Sequence, residues 1–302
     1  YKIKIKNNGA RKQRICLKYW LNPCLGETEE KTGRYIQSDF NKNENYVSLI
    51  NKYSINFSSL TTFISCTLPI TDFNTKRLLY KEIETSIYID AKEEYELAFM
   101  LGTSDSDILS ILKKYNTINK IKAEEKKVDE YWKEMLEIIQ VKTPDDSFNY
   151  MLNGWLVYQT IASRLFAKAG FYQVGGAYGY RDQLQDAMNI CTIHPEITRR
   201  QILWHARHQF EEGDVLHWWH KENQLGLRSR YKDDYLWLVY AVEEYIRITN
   251  DVTILNESVP FVTGPNLEAN EMEKGINYEY STKRATLYEH CFLAVEKAKK
   301  EI

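Results

Sequence analysis

Apolar and polar residues alternate with a period near two over the first hundred positions. Residues 1–20 form two such runs on either side of an Asn-Asn-Gly turn at 7–9, which is the signature of a β-hairpin. Further short runs follow, divided by polar turns. Charged residues such as Lys4 alternate with apolar ones such as Ile5, so one strand face is solvated and the other is packed. The pattern predicts part of a β-sandwich over residues 1–102.

The apolar spacing then lengthens to three and four residues. The segment 103–107 (TSDSD) supplies helix-capping residues, and a helix is predicted from about Ile108. A second, strongly charged helix with one apolar face is predicted from 123 to 140. We interpret residues 103–142 as a helical linker.

Residues 143–302 are predicted to form a helical domain. The predicted helices cover approximately 147–168, 183–191, 196–211, 233–249 and 282–300. Between the last two, residues 255–281 have the Gly, Pro and Asn content of a long loop. Helices that alternate with polar, aromatic loops indicate an α/α barrel whose loops carry the site.

The composition fits a globular chain with a sizeable core, since 43% of its 302 residues are apolar and 27% are charged. The net charge of −2 argues against attraction to nucleic acid or to a membrane surface. We predict no membrane-spanning segment and a cytoplasmic location, because no apolar run approaches the roughly 18 residues that a span needs. The high aromatic content of 13% mildly favours a sugar-handling protein.

The cysteines are odd in number and lack CxxC spacing, which disfavours a disulfide framework or structural zinc. They are Cys16, Cys24, Cys66, Cys191 and Cys291. We interpret them as buried, reduced thiols.

Both chain ends look internal to a longer protein, because Tyr1 opens in a strand pattern and the last segment stops inside a helical one. If helices of a barrel are missing, helix faces are left exposed. We therefore expect aggregation or a homodimer formed through the parent protein.

The stretch from Gly170 to Trp237 carries the candidate chemistry. Its polar candidates are Arg181, Asp182, Gln183, Gln185 and Asp186, and its aromatic ones are Phe171, Tyr172, Tyr178, Tyr180, Trp218, Trp219 and Tyr231. Glycines at 170, 175, 176 and 179 let the backbone approach a ligand closely. Carboxylates, amides and guanidinium groups bind sugar hydroxyls, while aromatic rings cover the C–H faces of sugars. A carbohydrate site is the leading hypothesis.

Two acidic motifs have competing interpretations. Arg181 and Asp182 form either a sugar-binding pair, which the surrounding glycines favour, or a structural ion pair at a helix start. Asp233 and Asp234 either cap the helix that follows them or face a cleft.

The histidines favour packing or sugar contact over metal binding. His217 and His220 flank a Trp-Trp pair, but no third ligand at suitable spacing is evident. His205 and His208 are interpreted as core-edge or surface groups. The glycines of 175–179 weakly match a dinucleotide loop, yet no βαβ unit surrounds them.

Four segments together resemble glycoside hydrolase family 94, the inverting β-glucan phosphorylases. They are NGWLVYQTIASRLFAKAG, GFYQVGGAYGYRDQLQD, QFEEGDVLHWWH and DDYLW. The similarity is greatest to the β-1,2-oligoglucan phosphorylase branch and to the phosphorylase-like domain of cyclic β-1,2-glucan synthases. The resemblance implies the end of a β-sandwich, a helical linker and the first half of an (α/α)6 barrel.

The resemblance also implies a mechanism. Arg181 and Asp182 match the pair that holds the hydroxyls of the donor sugar. Phosphate, as co-substrate, attacks the anomeric carbon while an aspartic acid protonates the departing oxygen, as in an inverting glycosidase with phosphate in place of activated water. No cofactor and no metal are expected.

The sequence departs from the family pattern in two places. Cellobiose-type members carry an arginine five residues before the Arg-Asp pair, where this chain has Gly176, which fits the β-1,2 branch. The family's proton donor lies in a Trp-Asn-Asp motif, which this sequence lacks. We therefore expect the chain to be inactive alone, with Asp233 as the fallback acid paired with Asp182.

The resulting hypothesis is a fragment of a phosphorylase that uses phosphate to cleave β-linked glucans to α-glucose 1-phosphate, with β-1,2 as the expected linkage. The predicted substrate-binding residues are Arg181, Asp182, Gln185, Asp186, Tyr178, Trp218, His220 and Asp234. One alternative is the chain-length-controlling domain of a cyclic β-1,2-glucan synthase. Another is a non-catalytic carbohydrate-binding protein.

Overall fold

The computed structural model divides the chain into two compact units, Tyr1–Tyr131 and Trp132–Ile302. It describes residues 1–26, 28–53, 59–74, 81–168, 176–221 and 223–300. The division falls inside a long helix, Ile118–Leu136. The predicted boundaries at 102 and 142 therefore stay predictions.

The first unit is built mainly from antiparallel strands. They are β1 (Lys2–Lys6), β2 (Gln13–Leu21), β3 (Ile36–Asn41), β4 (Tyr46–Asn51), β5 (Thr61–Cys66), β6 (Asp72–Asn74), β7 (Lys81–Ile89) and β8 (Glu94–Ser104). One sheet has the order β1-β8-β5-β4-β3 and the other β2-β7-β6. The unit also contains a short helix α1 (Glu29–Thr32) and the helix α2 (Ile108–Tyr115), and α3 (Ile118–Leu136) begins in it.

Both sheets of the first unit contribute to one hydrophobic core. Leu49 and Ile64 from the larger sheet and Ile83 from the smaller one are fully buried in it. Buried and half-exposed positions alternate along β7, as period-two patterning requires. The predicted strand-rich first part is confirmed, whereas the sandwich and half-barrel assignments stay predictions. The hairpin predicted for residues 1–20 is wrong, because β1 pairs with β8 and β2 pairs with β7.

The second unit mixes helices with short strands. Its helices are α4 (Asp146–Tyr150), α5 (Leu156–Tyr158), α6 (Tyr180–Asn189), α7 (Pro195–Ala206), α8 (Lys232–Thr249) and α9 (Leu287–Lys300). Its strands are β9 (Tyr178–Gly179), β10 (Leu216–His220), β11 (Leu225–Ser229), β12 (Ser258–Thr263), β13 (Glu273–Asn277) and β14 (Glu279–Thr286). Wider π-helical turns at Met151–Trp155 and Gln159–Phe166 flank α5.

These strands correct the predicted all-helical organisation of this part. The strands β13, β11, β10 and β9 form one antiparallel sheet, and β12 pairs with β14. The predicted loop 255–281 thus contains strands, and the helix predicted from 282 begins only at Leu287. Residues 284–286 pair with a strand more than 20 positions earlier, and such non-local pairing overrides local helical spacing.

The core of the second unit lies where the inner faces of its helices meet. Leu184 of α6, Ile202 of α7, Leu238 of α8 and Leu287 of α9 are fully buried there. Along α8 the buried positions recur every three or four residues, which defines one inward-facing stripe. This core carries the short sheet on which the candidate site is built.

The cysteines are all free, but they are not all buried. Cys16 and Cys24 are exposed, contrary to the prediction, because the strand and loop that carry them face solvent there. Among the described helices, none combines the length and the apolar character that a membrane crossing requires.

Apolar side chains are exposed on the helical stretch that follows α3. Phe148, Tyr150, Trp155 and Phe166 are each at least 39% exposed. This agrees with the expectation of exposed helix faces. The homodimer itself stays a prediction.

The turn that leads from α7 into β10 depends on Gly213. Its φ of +96° is a conformation that side chains with a Cβ rarely adopt, and a Cβ here would lie 2.5 Å from the carbonyl oxygen of Leu293. We expect Gly213→Ala to lower the free energy of unfolding by roughly 2 to 4 kcal/mol, measured by urea denaturation.

The matched control is Gly275→Ala in β13, where a Cβ would meet no atom within 4 Å. This variant should stay within about 0.5 kcal/mol of the wild type. Equal stability of the two variants would contradict the assigned role of Gly213.

Candidate functional site

Trp219 anchors the sheet that carries the candidate site. It is fully buried, and its ring stacks on Tyr178 at 5.3 Å and on His208 at 4.1 Å between centroids. In the strand pairing Trp219 lies opposite Tyr178, and Trp218 lies opposite Gly179. Neighbouring side chains on a strand point to opposite faces, so Tyr178 and Trp219 share the inner face.

Trp218 and His220 lie on the other face of β10. Both are half-buried, and their rings meet edge to face at 5.7 Å. The structure therefore separates Tyr178 from Trp218 and His220, although all three are predicted to bind substrate. A sugar that rested on Trp218 would contact His220 and not Tyr178.

The start of α6 sets the position of Asp182. Gly179 is the N-cap residue, and its N–H donates to the buried side-chain oxygen of Gln183. A Cβ at position 179 would lie 2.8 Å from Oδ2 of Asp182. The missing side chain of Gly179 therefore leaves the space that the Asp182 carboxylate occupies.

Arg181 and Asp182 are both accessible to a ligand. Their side chains are 46% and 37% exposed. Arg181 donates from Nη1 to Oδ2 of Asp233 at 3.0 Å, while its Nε lies 4.0 Å from Asp182. Exposed ion pairs contribute about 1 kcal/mol or less, so a sugar hydroxyl can displace such a contact at low cost.

The buried carboxylate of Asp234 hydrogen-bonds to His217, next to Arg181 and Asp182. His217 Nδ1 lies 2.7 Å from Oδ2 of Asp234, whose side chain is only 1% exposed. The hydrogen bond to Asp234 raises the pKa of His217, and burial raises the pKa of Asp234. Oδ1 of Asp234 is buried without a hydrogen-bond partner among the described residues.

Tyr231 completes the arrangement at the start of α8. Its hydroxyl donates to Oε2 of Glu273 at 2.7 Å, and its ring meets that of His217 edge to face at 4.9 Å. Strand β10, strand β13 and the starts of α6 and α8 thus bring polar side chains together. We call this set of side chains the polar cluster: Arg181, Asp182, His217, Tyr231, Asp233 and Asp234.

Asp233 and Asp234 do not cap α8 with their side chains. The N-cap residue is Tyr231, and no side-chain capping bond forms there. Both carboxylates lie in the first turn, where the helix dipole favours negative charge. Instead, Asp233 contacts Arg181 and Asp234 contacts His217, both within the polar cluster.

Other predicted residues lie apart from the polar cluster or outside the described chain. Asp186 accepts from Nε of Arg164 at 2.8 Å, and burial raises its pKa. Gln185 is half-buried on the same helix. The predicted contributions of Gly170, Phe171, Tyr172 and Gly175 lie outside the described residues. The assignment of these residues to substrate binding stays a prediction.

His205 and His208 are fully buried, which corrects their interpretation as core-edge or surface groups. Each ring nitrogen Nδ1 bonds a carbonyl of the preceding helical turn. Burial lowers the pKa of His205 to about 4 and that of His208 well below its ordinary value. Both act as neutral aromatic packing around Trp219.

His217 is the residue whose place in the site the sequence did not specify. The sequence shows that His217 flanks a Trp-Trp pair. It does not show the contact with Asp234, because the two residues lie 17 positions apart and are brought together only by the fold. Within the described part of the chain, no three His, Cys, Asp or Glu side chains lie close enough to hold a metal ion.

The hydrogen bond to the carboxylate of Asp234 is the main cause of the raised pKa of His217. We expect Asp234→Asn to lower the pKa of His217 towards the ordinary value of 6.5, because the neutral amide no longer stabilises the imidazolium. Wild-type His217 should keep its proton to a higher pH than the variant. An NMR pH titration of the ring protons, assigned with His217→Gln, measures both midpoints.

Asp233→Asn is the control, since its exposed carboxylate contacts Arg181 and not His217. It should move the His217 midpoint by much less. An equal shift in both variants would refute a specific role for Asp234.

Comparisons with known proteins identify relatives of this chain. It is 29% identical over 98% of its length to the cyclic beta-(1,2)-glucan synthase NdvB of Rhizobium meliloti (strain 1021), of which it spans 12%. It is 26% identical over 57% of its length to the N,N'-diacetylchitobiose phosphorylase of Vibrio proteolyticus, of which it spans 25%. The chain thus covers a quarter or less of these curated relatives.

A solved structure shares the fold. The putative kojibiose phosphorylase from human microbiome superposes on 85% of this chain with a TM-score of 0.55 and 12% identity, and this chain spans 38% of it. Residues 131–302 match the catalytic domain of the Glycosyl hydrolase 94 superfamily. Since that match covers more than half of the chain, the protein belongs to the Glycosyl hydrolase 94 superfamily.

Proposed function

We propose that this chain holds the donor glucose of a phosphorylase that cleaves β-linked glucans, with β-1,2 as the linkage. The observation that carries the proposal is the polar cluster. Arg181 and Asp182 are accessible there, next to the His217 that Asp234 holds, and Trp218 pairs in register with Gly179, the N-cap residue of α6. Guanidinium, carboxylate and imidazole groups beside an indole ring are suited to a sugar's hydroxyls and C–H face.

In the proposed reaction, a phosphate oxygen forms a bond to the anomeric carbon while the glycosidic C–O bond breaks. An aspartic acid gives its proton to the departing oxygen, so α-glucose 1-phosphate and a shortened glucan result. Arg181 and Asp182 fix the hydroxyls of the glucose unit during this step. Holding the sugar in a reactive orientation is their contribution to the rate.

A second candidate is the chain-length-controlling domain of a cyclic β-1,2-glucan synthase. The similarity to NdvB favours it, because it extends over 98% of this chain and therefore includes both compact units. The two candidates share the same donor site and differ in the protein around it. A third, non-catalytic carbohydrate binding, predicts affinity without turnover.

Loss of Arg181 or Asp182 should weaken sugar binding. We expect Arg181→Gln and Asp182→Asn each to weaken binding of a β-1,2-linked gluco-oligosaccharide by about tenfold or more, since each removes a charge-assisted hydrogen bond. Isothermal titration calorimetry on this chain measures the loss. Arg247→Gln is the control, because Arg247 is exposed on α8 and pairs only with Glu244 among the described residues.

Unchanged affinity in the Arg181 and Asp182 variants would refute the donor site. A preference for β-1,4-linked over β-1,2-linked oligosaccharides would refute the proposed linkage and leave the site intact.

The missing Trp-Asn-Asp motif makes a separate prediction about turnover. We expect this chain to release no α-glucose 1-phosphate from a β-1,2-glucan and phosphate, because the sequence lacks the motif that carries the family's proton donor. A coupled assay for glucose 1-phosphate measures release. If release occurs, the acid is in this chain, and Asp233→Asn then tests the fallback residue.

A further inference from the structure

A second cavity lies between α7 and β12, inside the second unit. It is open to solvent on one side and has a volume of about 420 Å³, a size in the range of small-molecule sites. Tyr178 and Trp204 form an aromatic wall, with their ring centroids 5.7 Å apart. Because Tyr178 lies on the inner face of the sheet, this cavity is on the opposite side of β9 and β10 from Trp218 and His220.

The cavity is positively charged. Arg200, Arg207 and Lys221 line it, and none of the three pairs with a carboxylate in the described part of the chain. The lining carboxylate, Glu257, already binds Arg199 at 2.5 Å. Three uncompensated cations around one small cavity favour an anion with more than one negative charge.

Arg207 is the cation held most firmly. Its guanidinium lies 4.0 Å from the ring centroid of Tyr280 and 5.6 Å from that of Trp204. Such cation–π contacts orient the planar group without using its N–H donors. The Nε of Arg207 is buried and has no hydrogen-bond partner among the described residues.

Two more polar atoms of the lining residues lack partners. Within the described chain, neither Oε1 of Gln201 nor Nε1 of Trp204 makes a hydrogen bond, and both atoms are buried. A buried polar atom without a partner costs about 1 to 3 kcal/mol. None of these three atoms is accessible to solvent, so a ligand in the cavity would bond the accessible polar atoms of the lining side chains instead.

We propose that this cavity is a binding site for a sugar phosphate. The phosphate binds Arg207, with Arg200 and Lys221 closing on it from the exposed rim. The sugar ring lies against Trp204 and Tyr178, and its hydroxyls reach Gln201. The site is separate from the polar cluster, so it does not depend on the donor-site proposal.

The test is calorimetric titration of this chain with glucose 6-phosphate, glucose, inorganic phosphate and glucuronic acid. We expect glucose 6-phosphate to bind at least about tenfold more tightly than the other three, because only it offers both the ring and a phosphate. We expect Lys221→Gln and Arg207→Gln each to weaken its binding by about tenfold or more. Arg181→Gln should leave it unchanged.

Several results would overturn the proposal. They are the absence of millimolar binding, equal affinity for inorganic phosphate or glucuronic acid, an undiminished affinity in the cavity variants, and a loss caused by Arg181→Gln alone. If Arg207→Gln does not fold, the exposed rim substitutions Arg200→Gln and Lys221→Gln decide the question. Loss of oligosaccharide affinity in Arg181→Gln, with glucose 6-phosphate binding intact, would separate the two sites.

Discussion

The burial of Trp219 is the constraint on which the candidate site depends. Removing a side chain of this size from water contributes roughly 3 to 5 kcal/mol, more than any of the surface contacts nearby. A slip of one residue along β10 would place Trp218 in the core instead. The stacking of Trp219 on Tyr178 and His208 therefore fixes the register of the strand that carries His217 into the polar cluster.

The polar cluster combines groups of different accessibility. Asp234 is removed from solvent and contacts His217, whereas Arg181 and Asp233 are exposed and weakly bound to each other. The buried member gives the imidazole a defined orientation, and the exposed members can exchange their mutual contact for a ligand. Such a division suits a site that must be ordered when empty and adaptable when occupied.

Local patterns predicted much of the fold and only part of the site. The helices α7 and α8 begin within one residue of their predicted starts, because Pro195 and the apolar spacing of α8 are local signals. The strands β10 and β13 were missed, since their pairing partners lie far along the chain. For the same reason Arg181 could be named from its motif, but its contact with Asp233, 52 positions away, could not.

The close packing at the start of α6 limits which residues position 179 can accept. The space that any larger residue would need at position 179 is filled by the carboxylate of Asp182. A substitution there would first displace the carboxylate of Asp182. A larger residue at this position is therefore compatible with the present helix start only if the acidic group takes up another position.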